Sequence, residues 1–149
     1  MNLDRFLPRP SLDLGLLLIR AMLGIVFVYH GSQKLFGWFG GYGLEGTSQW
    51  MGSIGIPMPF VSTTLAALSE FGGGLVLLTG LFFRPMMLPL FFTMLVAAFV
   101  GHAGKGFSIM NGGNEYALSL AVFVLALFFT GPGRFALGTQ PVRKEAFAS

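Results

Sequence analysis

Six ionisable side chains stand inside or beside the apolar stretches of this chain: Arg20, His30, Lys34, Glu70, His102 and Glu115. A charge at the centre of a hydrocarbon layer costs at least ~2.5–3.5 kcal/mol. Residues kept at such a cost are expected to face inward, pair and do chemistry. The carboxylates could carry protons, and the imidazoles could hydrogen-bond a carbonyl and change charge near neutral pH. Arg20 and Lys34 could hold developing negative charge. Tyr116 and Ser119, next to Glu115, add hydroxyls suited to a carbonyl or quinol ligand. The expected assignment is therefore Glu70 and Glu115 as catalytic proton carriers, and Arg20, His30, Lys34, His102 and Tyr116 as ligand-binding groups. No metal-ligand set is expected, because no helical Glu-x-x-His pair is present.

Other chemistries are excluded by what the chain lacks. It has no cysteine, hence no thiol catalysis, disulfide or thiolate-held cluster of its own. It carries no P-loop, no HExxH, no serine-nucleophile motif and no dinucleotide fingerprint. The glycine runs Gly40-Gly41, Gly72-Gly73-Gly74 and Gly112-Gly113 match no phosphate-binding pattern. Two histidines are the minimum for a bis-imidazole haem, and the neighbouring carboxylates are unusual company for one, so haem is not expected.

These groups must be positioned by membrane helices. The chain has 149 residues, 54% hydrophobic and 10% charged, against about 25% charged in soluble domains. The fold class is thus all-α, a polytopic bundle of four transmembrane helices in one domain spanning 1–149. The apolar segments run from about 12 to 36, 60 to 83, 86 to 103 and 115 to 131, near the ~17–25 residues a span needs. The N-terminus lacks a cleavage site after a short apolar core and reads as a retained helix. Pro85 opens the third segment, and Gly131-Pro132-Gly133 stops the fourth.

Basic residues set the topology. Arg5, Arg9, Arg84, Arg134, Arg143 and Lys144 fall on one side; Lys34 and Lys105 fall on the other. Six against two puts both termini in the cytoplasm. The net charge of +3 is then a topology signal, and no nucleic-acid partner is expected. The long first loop holds Trp38, Phe39, Tyr42 and Trp50, and should cap the bundle at the outer headgroups or form a lid. Ser69 and Gly73 form a small-xxx-small pair, which reads as close helix contact. Phe27-Val28-Tyr29-His30 with Lys34, and Phe99-Val100-Gly101-His102 with Lys105, suggest two similar hairpins.

At ~1.5 Å per residue from cytoplasmic anchors, Arg20 stands ~10 Å up and Glu70 ~21 Å. His30, His102 and Glu115 stand at ~25–28 Å, and Lys34 and Lys105 at ~31 Å. Arg20, His30 and Lys34 share roughly an 80° face of the first helix. The expectation is an outer polar layer of Glu70, His30, His102 and Glu115, one from each helix, with Arg20 reaching Glu70 from below.

The pattern resembles the DoxX family of small four-helix membrane proteins. The resemblance rests on Leu18-Ile19-Arg20-Ala21-Met22-Leu23-Gly24 running into His30-Gly31-Ser32-Gln33-Lys34-Leu35. It continues with Glu70 and Thr79-Gly80-Leu81, then Asn114-Glu115-Tyr116, then Gly131-Pro132-Gly133-Arg134. A Tyr-Ser-Leu-Asp-like run usual after the last motif is replaced by Phe135-Ala136-Leu137-Gly138. The resemblance implies a multi-pass inner-membrane protein tied to redox metabolism, similar to membrane subunits of thiosulfate:quinone oxidoreductases. It implies a quinone or similar small molecule in the polar pocket, no covalently bound cofactor, contact with membrane lipid, a protein partner in a redox complex, and a homo-oligomer as a further option. The alternatives are a structural or chaperone-like module without catalysis, and a small-metabolite transporter.

Overall fold

The structure, a computed structural model, describes residues 12–137. Five α-helices follow in order: α1 (Leu12–Phe36), α2 (Gly43–Ser53), α3 (Pro59–Thr79), α4 (Phe83–Val96) and α5 (Glu115–Thr130). No strand occurs among the described residues. α4 continues without a break into a π-helical turn, Ala97–Gly101, so its apolar column reaches Gly101. α1, α3 and extended α4 are long and apolar enough to cross a membrane; α5 is a shorter apolar helix. At 1.5 Å per residue its 16 residues cover about 24 Å, short of a ~30 Å hydrocarbon core.

Local sequence sets these ends. Asp13 sits in the first turn of α1 and Lys34 in the last, each complementing the helix dipole. Pro59 opens α3, where its missing N–H costs nothing. Gly80 closes α3 in the left-handed region (φ 81°), donating its N–H to Val76 O at 2.6 Å. α3 thus stops at Thr79, four residues before the expected end. α4 begins at Phe83, earlier than expected, with Pro85 at its third residue and Pro89 inside it.

α1 packs chiefly on α3, and α4 on α5. The two seams amount to two hairpins, though their polar contacts differ, as described below. The interior is filled by Leu23, Phe27, Leu77, Met87, Leu90 and Val124. The outside is just as apolar: Leu18, Met22 and Ile25 on α1, Leu65 on α3, and Phe92 and Val96 on α4 are exposed. An apolar exterior around a core that holds Arg20 and Glu70 is the pattern expected for hydrocarbon as the outer solvent.

The α1–α3 seam is close because glycine lines it. A Cβ on Gly74 would lie 2.6 Å from Val28 N, and one on Gly24 would lie 2.7 Å from Leu78 Cγ. A Cβ on Gly31 would lie 2.6 Å from Phe71 Cα. Seven residues down α1, from Gly31 to Gly24, match seven residues up α3, from Phe71 to Leu78. That antiparallel register decides which charges meet.

Candidate functional site

The register sets Glu70 nearly level with Ser32, and hence with Lys34 less than one turn away. Lys34 Nζ donates to Glu70 Oε2 at 2.6 Å. The Glu70 side chain is 4% exposed and that of Lys34 24%, so the pair is desolvated mainly at its acid end. The expected contact of Arg20 with Glu70 does not form. Twelve residues separate Arg20 from Ser32, about 18 Å along α1, too far for two side chains. The sequence-based height failed because it hung α3 from Arg84. α3 ends at Thr79, and the depth beneath it is filled by another part of the chain.

That part is the segment after α5. Gly131 and Gly133 both take positive φ and turn the chain back under the bundle. Arg134 is tied to Asp13, with its N–H donating to Oδ1 at 2.9 Å and its Nε 3.6 Å from Oδ2. Leu137 N–H donates to Thr79 O at 2.8 Å. Arg20, only 1% exposed, donates Nη2 to Phe135 O at 2.8 Å; its Nε and Nη1 have no hydrogen-bond partner among the described residues. The segment that lacks hydroxyls and an acid thus still receives Arg20, through a backbone carbonyl. Arg5, Arg9, Arg143 and Lys144, on which much of the topology rests, lie outside the described residues.

The Lys34–Glu70 pair borders a cleft of about 900 Å³ between α3, α4 and the first loop. Its walls are mainly apolar, with Ser69, Glu70 and Lys34 on one side and Thr93 and His102 on another. The first loop forms part of this wall: α2, with short turns on both sides, carries Trp50 and Met51 to the cleft. Met51 is buried, its Sδ accepting the Thr63 hydroxyl at 3.1 Å, and Trp50 reaches toward Gly101, whose Cβ would sit 3.5 Å from its ring. Leu65, Phe92 and Val96, exposed on the outer faces of α3 and α4, also line the cleft. It therefore has an apolar mouth between these two helices.

The π turn places His102. One extra residue per turn, closed by His102 N–H on Ala97 O at 3.1 Å, turns its ring inward off the end of α4. His102 Nδ1 lies 2.7 Å from Gly112 O. A carbonyl can only accept, so Nδ1 carries the hydrogen and Nε2 is the basic nitrogen of the neutral ring. His102 lines both the main cleft and a second cavity of about 470 Å³ bounded by Phe107 and Asn114.

The expected four-helix polar layer divides instead of closing. Among the described residues no three His, Asp or Glu side chains gather closely enough to hold a metal. His30 Nδ1 lies 3.1 Å from Gln33 Oε1, and its ring meets Tyr116 edge-on at 6.2 Å. Glu115 turns back at the start of α5 and accepts Ile109 N–H at 2.6 Å. Lys105 is exposed. The first hairpin is joined by Lys34–Glu70, whereas its proposed counterparts Lys105 and Glu115 form no ion pair among the described residues. Lys34, Glu70 and His102 share the cleft; Arg20, His30, Glu115 and Tyr116 do not border it.

The DoxX family model matches residues 15–103, from the first turn of α1 past the π turn. The chain belongs to the DoxX family. Among its DoxX-type relatives, the inner membrane protein YphA of Escherichia coli is 29% identical over 129 residues, covering 82% of this chain and 86% of YphA. A Bacillus subtilis protein named "Putative oxidoreductase CatD" is 37% identical over 117 residues, covering 78% of this chain and 81% of its own. The inner membrane protein YqjF of Escherichia coli is 30% identical over 125 residues, covering 84% and 90%. No solved structure matches the chain. This DoxX protein is accordingly a multi-pass inner-membrane protein. The matched DoxX region holds Lys34, Trp50, Ser69, Glu70 and His102 of the cleft; Glu115, Tyr116 and the returning segment lie beyond it.

Arg20 in this DoxX chain is a clamp on the returning segment. Arg20→Met removes a hydrogen bond from a charged donor, worth about 1.5–3 kcal/mol. The Leu137 amide should then exchange with solvent about tenfold faster or more; unchanged exchange would mean that other contacts hold the segment.

Proposed function

We propose that this protein is the membrane-embedded subunit of a redox system, and that it binds a quinone or similar small molecule in the cleft between α3 and α4. The observation that carries this reading is the Lys34–Glu70 ion pair in the wall of an otherwise apolar cleft of about 900 Å³. That volume lies within the ~300–1,000 Å³ range of small-molecule sites, which combine apolar walls with a few placed polar groups. The name of the Bacillus subtilis relative supports a redox association. In this reading Lys34 donates to a ring oxygen, Glu70 carries the proton that accompanies reduction or oxidation, and the basic Nε2 of His102 accepts a hydrogen bond from a hydroxyl of the reduced ligand. His30, Tyr116 and Glu115 do not border the cleft. Arg20 belongs to the structural frame. The electrons come from or go to a partner protein that carries the redox centre.

Trp50 offers the assay. In lipid nanodiscs, decylubiquinone should quench its emission saturably, and Trp50→Phe should abolish the saturable part, leaving any signal from Trp38. Glu70→Gln should weaken that binding or reduce the associated redox activity about tenfold. No saturable quenching, together with full redox activity in Glu70→Gln, would overturn the proposal.

A further inference from the structure

A hydroxyl on a membrane helix ordinarily satisfies itself by bonding back to a carbonyl on the preceding turn. Thr64, Thr79, Thr93 and Ser119 do so, to Phe60, Leu75, Pro89 and Glu115 O at 2.7–2.9 Å. Ser69, on the same helix as the first two, does not. The residue is 7% exposed and its Oγ is buried without a hydrogen-bond partner. Its spacing to Gly73 suggests a close helix contact. Gly73 faces α4, where its Cβ would lie 2.9 Å from Leu90 Cδ2, whereas Ser69 borders the cleft beside Glu70 and Lys34. An unpartnered buried hydroxyl is costly to the empty protein.

The chemistry of this wall is two-sided. The Lys34 ammonium has three N–H donors and gives one to Glu70 Oε2. Glu70 keeps the lone pairs of its second oxygen, and Ser69 can both donate and accept. A carbonyl ligand can use the donors only. A hydroxyl ligand accepts from Lys34 or Ser69 and donates to Glu70 or Ser69, so it satisfies both kinds of group. We infer that Ser69, Lys34 and Glu70 form a hydroxyl-binding subsite, and that the cleft takes an apolar molecule by a phenol or hydroquinol head group in preference to the corresponding carbonyl. The inference rests on the proposed small-molecule function of the same cleft. It adds that the reduced member of a quinone pair binds more tightly, which raises the potential of the bound couple.

Matched ligands test it without redox chemistry. In nanodiscs, 4-nonylphenol should bind tighter than 4-nonylanisole, its methyl ether, by roughly tenfold to hundredfold, the range expected when a hydrogen bond to a charged group is lost. A hydroquinol kept reduced should likewise bind tighter than its quinone. Ser69→Ala should narrow the phenol-to-ether ratio by about threefold or more without lowering the melting temperature of the ligand-free protein, because the hydroxyl removed had no partner. Ser69→Cys, of similar size with a weaker donor, should fall between. If the ether and the quinone bind as tightly as the phenol and the hydroquinol, the hydroxyl subsite is wrong and the small-molecule cleft stands. If none of the four binds saturably, both fail. If Ser69→Ala lowers the melting temperature and leaves the ratio intact, Ser69 is a packing residue.

Discussion

Lys34→Met is expected to destabilise the protein by about 3–5 kcal/mol, the cost of removing one partner from a buried ion pair. The two partners are not equivalent. Glu70 is 4% exposed and sits mid-helix on α3, whereas Lys34 is 24% exposed in the last turn of α1. Removing the lysine leaves a carboxylate in the interior, which must take up a proton or remain charged at high cost. Glu70→Gln is milder, because the amide oxygen still accepts and the lysine stem can lift its ammonium toward the polar face. The double variant Lys34→Met with Glu70→Gln leaves no stranded charge and should recover much of the loss. Melting in detergent reads all four proteins. Equal losses from the two single variants, adding up in the double, would mean that the 2.6 Å contact contributes no coupling.

How much of this was legible depends on the kind of signal. Helix α1 was legible in full, because Leu12–Phe36 is long, apolar and bounded by Asp13 and Lys34. The stop at Gly131-Pro132-Gly133 was legible from residue type alone. Membrane insertion followed from the same apolar runs and inner-membrane location from the family resemblance, and both agree with the relatives. α2 was hidden: three of its eleven residues, Gly43, Gly46 and Gly52, are glycines that mask a helical pattern. The pairing of charges was also hidden, because it depends on register. Register comes from the glycine faces of α1 and α3 and from the returning segment beneath α3. Neither follows from counting along one helix. Gly24 and Gly31, seven apart on α1, were the available signal for that seam. The place of Ser69 beside the cleft was hidden too, since a small residue spaced four from a glycine reads only as helix contact. The π turn at Ala97–Gly101 leaves no mark in residue type at all, yet it aims His102.

The second large effect is expected at the seam. Gly31→Ala adds a single methyl group, and on an exposed helix face it would stabilise by up to ~1 kcal/mol. Gly15→Ala should do so, because a Cβ there meets nothing within 4 Å. At Gly31 the methyl meets the backbone of Phe71, including its Cα at 2.6 Å. Backbone in the middle of α3 cannot step aside as a flexible side chain can, so α1 and α3 must separate. Overpacking of this kind typically costs about 1–3 kcal/mol and sometimes more, and the rigid neighbour places Gly31→Ala at the top of that range. The consequence reaches the cleft, because Lys34 follows Gly31 by three residues on the same face of α1. Separating the helices lengthens the Lys34–Glu70 contact and exposes the hydroxyl subsite to misalignment. Gly31→Ala should therefore lower both the melting temperature and the affinity for the phenol ligand, while Gly15→Ala lowers neither. A Gly31→Ala protein that melts like wild type would mean the seam yields easily, and the register that brings Lys34 to Glu70 would need another cause.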